Sequence, residues 1–343
     1  MTAIFNNELT TLISILNWNG TKDTINLLDG IYKHFTKDIC CAVFDNGSDK
    51  DPTDLLLKKY PTIEVFRSPV NIGFTGGHNK LLEIASSRNY HSVLILNNDC
   101  EITIESIIAL KKILVENKNV AIASPLIYRK GESNRRMMVG GHIDWLQKES
   151  IWHSTCDEVA PVEFPKLVVG TALLLRCEAM RKIGFLDDQY FAYFDDNDLS
   201  ARTHKSGYEI MFCIDSICFH QYKSLSEHSE MALYLLNRNQ WLFWRTHTPH
   251  QFSSGIFRNM TATTLNHISA LKTNSNEIGK FNAIVSGWWD GFKGNSGTPP
   301  TKFNPPWFLY FFGRLAPYFF SKFLKNPRNA IKEKMRNLTH RYF

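Results

Sequence analysis

The sequence predicts an α/β protein: a mainly parallel sheet flanked by helices, followed by a C-terminal helical extension. Three observations carry this expectation. Apolar runs at Leu12–Leu16, Cys40–Phe44 and Val93–Leu96 are near-continuous, as strands buried on both faces of a parallel sheet are. Helical patterns lie between them, at Thr21–Phe35, Pro52–Tyr60 and Gly77–Ser87, so strands and helices alternate. Polar clusters stand where the apolar runs stop: Asn17-Trp-Asn-Gly, Asp45-Asn-Gly-Ser and Asn97-Asn-Asp.

Such an order implies a Rossmann-like sheet, which binds ligands beyond the carboxyl ends of its strands, where these clusters fall. Asp51 before Pro52 reads as a helix start, with a capping acid followed by proline at the first helical position. The middle of the chain changes character. A loop-rich stretch (129–165) precedes strands expected at Val168–Leu175 and Ile210–Ile214, and a further strand-like run, Ile217–His220. From Glu227 to His247, the spacing of Met231, Leu235, Leu236, Trp241 and Trp244 predicts a helix. Residues 293–306, rich in Pro and Gly, read as a linker. There is no internal repeat.

Composition bounds the function. With 343 residues, 43% hydrophobic and 21% charged, the chain has ample apolar material for a core, which excludes intrinsic disorder. Its net charge of +6 is uneven: residues 301–343 hold nine Lys/Arg against Glu333 alone. A nearly neutral body with a basic tail argues against a nucleic-acid surface and for one local anionic partner. Seven cysteines, without a Cys-x-x-Cys pair, fit free thiols in a reducing compartment. No signal peptide and no apolar run of spanning length are apparent, so the expected location is cytoplasmic, peripheral on the inner face of the cell membrane. A P-loop is absent, and no Gly-x-Gly-x-x-Gly follows the first strand, which disfavours an ATPase and a nicotinamide-dependent oxidoreductase.

Four segments carry candidate chemistry. In Asn71-Ile-Gly-Phe-Thr-Gly-Gly-His-Asn79, glycines ahead of a helix starting near Gly77 would let a backbone approach a pyrophosphate. Asn97-Asn-Asp99 offers a hard oxygen ligand for a divalent ion, but on the triplet alone an Asx turn ending the strand is the favoured reading. The segment from Gly184 to Arg202 holds Asp187, Asp188, Asp195, Asp196 and Asp198 among aromatics. Crowded acids in apolar surroundings have raised pKa values, which suits a general base; Asp195 and Asp196 also suit a helix start. His220 closes a strand-like run and, as a lone histidine, reads as a core residue.

Taken together, these blocks, with Val169–Arg176, Gly184–Asp187 and Gly207-Tyr208, closely resemble glycosyltransferase family 2, nearest in look to its rhamnosyltransferase and galactofuranosyltransferase branches. The resemblance covers roughly residues 10–245 and implies a GT-A fold. It implies a catalytic domain at 1–225, with a nucleotide-sugar half to about 100 and an acceptor half beyond, then a helical extension at 226–292 and the linker at 293–306. Position by position, it implies that Trp18 and Asp45 hold base and ribose and that Asn71 and Gly73 line the same pocket. Asn97 stands where the metal motif has its first acid; Asp99 and His220 would ligate Mg²⁺ or Mn²⁺. Asp196 would be the catalytic base, with Asp195 assigned to capping and charge tuning. Arg238-Asn239 matches a recurring pair. The implied reaction is an inverting single displacement, from a nucleotide-diphosphate sugar to a hydroxyl of a glycan or lipid-linked glycan, in surface polysaccharide synthesis.

Asn97 removes a negative charge from the metal motif, so a catalytically silent sugar-nucleotide-binding scaffold is the alternative expectation. The tail, 307–343, is aromatic and basic. That combination predicts an interfacial segment on an anionic membrane, each basic residue near the surface contributing about 1 kcal/mol.

Overall fold

In this computed structural model, residues 10–131, 136–138, 140–153, 165–221, 225–271 and 277–310 are described. The chain divides after residue 222 into two units.

The first unit is built on the three expected parallel strands, β1 (Thr11–Asn17), β2 (Ile39–Asn46) and β4 (Ser92–Asn97), together with β3 (Glu64–Ser68), which was not expected. They lie in the order β3-β2-β1-β4, all parallel. The sheet continues through β11 (Ala172–Arg176), β6 (Val120–Arg129), β12 (Glu209–His220) and β5 (Glu101–Ile102), with β7 (Arg136–Met138) paired to β6. Strand β11 runs antiparallel to both its neighbours, while β12 is parallel to β6. A bulge interrupts β12 between Cys213 and Ile217, lengthening the strand that ends at His220. The stretch expected to be loop-rich instead contributes β8 (Gly140–Asp144) and β9 (Glu149–His153), which form a small antiparallel sheet with β10 (Lys166–Leu167).

Side-chain alternation splits the core into two layers. Ile13 and Ile15 of β1 face a layer completed by α1 (Thr21–Ile31), α2 (Thr53–Lys59) and α4 (Ile104–Glu116). Leu12 faces the opposite layer, with α3 (Gly73–Ser87), α5 (Cys177–Ile183) and α6 (Asp195–Lys205). Asp51 accepts from the Thr53 backbone N–H at 2.9 Å, but α2 starts one residue later than expected, with Pro52 in the cap position and Thr53 the first helical residue.

Helix α3 begins four residues before the expected Gly77, so the Gly-rich run lies within the helix. Gly77 is there for packing: a Cβ would collide with Leu16 of β1. His78, in the same run, is a core histidine whose Nδ1 lies 2.8 Å from Ser14 Oγ; burial pushes its pKa down to about 3.

The second unit contains α7 (Glu230–His247), α8 (Ile256–Ala270) and α9 (Ile278–Lys293). Ser229 Oγ caps α7 by accepting from Ala232 N–H. A buried polar network joins Asn237, Gln240, Thr264 and His267. The Pro/Gly-rich segment has little regular structure but is held against α7: Arg238 Nη1 donates to the Gly297 carbonyl at 2.6 Å, and Phe303 stacks on Tyr234. No helix among the described residues is long and apolar enough to cross a membrane. Most of the expected tail, from residue 311, lies outside the described residues.

Candidate active site

The carboxyl ends of β1, β2 and β4 converge, and Asp45 organises the first two. It is fully buried, and both its oxygens are engaged. Oδ1 accepts from Asn17 Nδ2 at 2.7 Å and Ser48 Oγ at 2.5 Å; Oδ2 lies 3.3 Å from Arg67 Nε. Arg67 also donates to the Ser48 carbonyl and pairs with Asp51. Ser48 Oγ in turn accepts from Asn19 N–H, which fixes the β1 loop and leaves Trp18 about half exposed (46%) beside it. Asp45 therefore acts through its neighbours, holding the loop that carries the accessible Trp18. Arg67 was not recognisable in advance, because its strand, β3, carries no near-continuous apolar run.

Asn71 and Gly73 lie at the start of α3. Asn71 Oδ1 accepts from Gly73 N–H and from Asn46 Nδ2, while Asn46 also binds Ile72 N–H and the Gly73 carbonyl. Gly73 sits at φ 88°, and a Cβ would lie 2.6 Å from the Phe191 carbonyl oxygen. Glycine is required both by the backbone and by that approach. Opposite, Phe191, Tyr193 and Phe194 all have φ near 65°, an uncommon run of left-handed aromatic residues leading into α6. Backbone strain of this kind, of order 1–3 kcal/mol per residue, persists where surroundings impose it and clusters at functional sites.

Asn97, Asp99 and His220 are brought together. His220 Nε2 lies 3.2 Å from Asp99 Oδ1 and 3.5 Å from Asn97 Nδ2, joining the end of β12 to the end of β4. Asp99, Cys100 and His220 can place a carboxylate oxygen, a sulfur and an imidazole nitrogen within 4.8 Å of one another. His220 Nδ1 is buried without a hydrogen-bond partner among the described residues. This donor set fits a divalent cation, with both Asp99 and His220 partly accessible.

Asp196 stands in the first turn of α6. Its Oδ2 accepts from Gly170 N–H at 3.0 Å and its Oδ1 from Asn197 N–H at 2.8 Å. Burial raises its pKa, while these N–H groups act in the opposite direction. Asp195 is the more buried of the pair, and its carboxyl is held well above the usual range by burial and then by the charge of Asp196. The capping expected of Asp195 is not seen: Phe194 occupies the cap position, in left-handed conformation and with no side-chain cap bond. The Gly170–Thr171 turn links Asp196 to the end of β4, since the Thr171 carbonyl accepts from Asn97 N–H at 3.0 Å. Arg238 belongs to the second unit and is buried there.

The mostly parallel sheet flanked by helices is the GT-A fold of glycosyltransferases. Residues 15–184 match the model of Glycosyl transferase family 2, and the chain belongs to that family. Asp196 and His220 lie beyond the matched span. Among solved structures, the chain resembles S. aureus TarS 1–349 in complex with UDP-GlcNAc, at 14% identity and TM-score 0.54, over 92% of this chain and 90% of that one. It also resembles GalNAc-T7 with UDP, GalNAc and Mn²⁺, at 16% identity and TM-score 0.50, over 63% of this chain and 44% of that one. The chain thus spans less than half of the GalNAc-T7 structure. No curated protein matches the sequence.

Proposed function

We propose that this glycosyltransferase inverts configuration, moving a rhamnose-like or galactofuranose-like sugar from a nucleotide-diphosphate donor to a hydroxyl of a glycan or lipid-linked glycan acceptor. The observation that carries the reading is the Asp196 carboxylate. It is half-buried, raised in pKa, and fixed through Gly170 and Thr171 to the strand end that bears Asp99.

The base and ribose would lie against Trp18 and the loop that Asp45 supports, with Asn71 and Gly73 opposite. The Asn97 amide can hydrogen-bond a sugar or ribose hydroxyl without adding charge. When bound, a divalent cation held by Asp99 and His220 would offset the charge developing on the departing nucleoside diphosphate. Asp196 takes the proton from the acceptor hydroxyl as that oxygen attacks the anomeric carbon. A raised pKa suits this role, because the carboxylate then holds the transferred proton more firmly. The N–H groups of Gly170 and Asn197 keep the carboxylate aimed.

A membrane-bound acceptor is supported by the C-terminal segment. Trp307 is 83% exposed at the start of the aromatic and basic tail, where an interfacial anchor would place it. A thermal-shift panel of UDP-, dTDP- and GDP-sugars, with and without Mg²⁺ or Mn²⁺, tests the donor assignment. Donor at a hundred times its Kd adds about 2.7 kcal/mol of stability; a panel without any shift would overturn the assignment.

A further inference from the structure

We propose that Cys100 is a third protein ligand of the cation, making the centre an Asp–Cys–His site selective for a thiophilic divalent ion over Mg²⁺. This rests on the reading of Asp99 and His220 as cation ligands and goes beyond it in ligand number and metal class.

Local geometry places the thiol. After β4 the chain turns, with Cys100 N–H donating to the Asn97 carbonyl at 3.3 Å. It then enters β5, whose antiparallel register with β12 sets Glu101 opposite Phe219 and Ile102 opposite Cys218. One step outward, that register brings Cys100 towards His220. The Cys100 sulfur, an Asp99 oxygen and a His220 nitrogen consequently share a sphere of 4.8 Å. Ligand distances of about 2.3 Å for sulfur and about 2.0 Å for nitrogen put two ligands of one ion at most about 4.3 Å apart. An adjustment of about half an ångström therefore closes the set.

Cys100 is buried, and its thiol donates to the Thr171 carbonyl at 3.8 Å, a weak bond that is readily exchanged for a metal. Asn97 leaves Asp99 as the one carboxylate of the Asn-Asn-Asp triplet. Burial raises the pKa of the free Cys100 thiol, so its proton would leave to solvent only as a metal enters and supplies the opposing charge. Sulfur also changes the preference: thiolate and imidazole favour Zn²⁺ or Co²⁺, whereas Mg²⁺ requires oxygen ligands in octahedral geometry.

Cobalt titration of the full chain, in phosphine reductant, reads this directly. The expected result is visible d–d absorption together with a near-ultraviolet sulfur-to-cobalt charge-transfer band. Cys100→Ser should lose the charge-transfer band and keep visible absorption, while Cys218→Ser should keep both. Cobalt bound without the charge-transfer band, or a band indifferent to Cys100→Ser, overturns the Cys100 assignment and leaves Asp99 and His220 in place. No cobalt absorption at all overturns both readings. Should Cys100→Ser fail to fold, X-ray absorption on the unmutated, zinc-loaded chain decides: a sulfur neighbour at about 2.3 Å supports the proposal, and a shell of nitrogen and oxygen alone refutes it.

Discussion

The backbone N–H of Gly170 donates to Asp196 Oδ2 at 3.0 Å, tying the first turn of α6 to the turn that precedes β11. The next residue, Thr171, accepts from Asn97 N–H, so a displacement of either turn reaches both Asp196 and the end of β4. A Cβ on Gly170 would contact Asp196 Oδ2 at 3.4 Å, which leaves little space between them.

Asp195 should limit stability at neutral pH. A carboxyl whose pKa is raised by folding binds its proton more tightly folded than unfolded. Its stabilising contribution is complete below the unfolded value of about 4 and is lost as pH rises through the raised folded value. Asp195→Asn should therefore raise the melting temperature at pH 7, with the gain fading as pH falls below about 4. Melting curves across that range check it; a gain that persists in acid contradicts the burial argument. Transfer should fall less than on changing Asp196.

Gly73→Ala should damage both fold and pocket. The backbone sits at φ 88°, and the added Cβ meets Phe191. The loss should be about 1–3 kcal/mol in urea unfolding, with weaker donor binding because Asn46 and Asn71 hold the same turn. Unchanged stability and binding would remove Gly73 from the pocket.

Part of the fold could be read before the structure. Strands β1, β2 and β4 are near-continuous apolar runs whose polar ends hold Trp18, Asp45, Asn97 and Asp99, while the roles expected of those residues came from the family resemblance. The remainder depends on partners distant in sequence. Strand β3, Glu-Val-Phe-Arg-Ser, is mostly half-buried and carries no continuous apolar signal. Strand β6 contains Pro125, and β12 is interrupted by a bulge. The onset of α3 at Gly73 is set by Asn46, which donates to the Gly73 carbonyl, by Asn71, which accepts from the Gly73 N–H, and by Phe191, arriving from 118 residues away. Glycine propensity alone argues against a helix there.

Asp99→Ala and His220→Ala should each weaken cation-dependent donor binding by about tenfold or more, and excess cation should partly restore the histidine variant. Donor titration calorimetry with and without EDTA measures this. Full binding and transfer in EDTA would show that side chains alone stabilise the leaving group.

A chain ending at Tyr310 should stay folded and keep donor binding. Phe303 on Tyr234, Phe308 on Trp289 and Tyr310 on Phe281 pack within the described residues, so truncation beyond them spares these contacts. Binding to anionic vesicles should fall sharply, and binding of the intact chain should weaken with salt. Vesicle binding unaffected by the truncation would refute the membrane role of the tail.

The central claim is that Asp196 is the base of an inverting transfer. Its most direct test is sugar transfer by purified enzyme and Asp196→Asn, with the product anomer assigned by NMR. The account predicts a product of inverted configuration from the enzyme. It predicts a fall of about 10²–10⁴ in transfer for the variant, with donor affinity unchanged, the scale on which loss of a general base acts. Retained configuration, or near-wild-type transfer by Asp196→Asn, would contradict it.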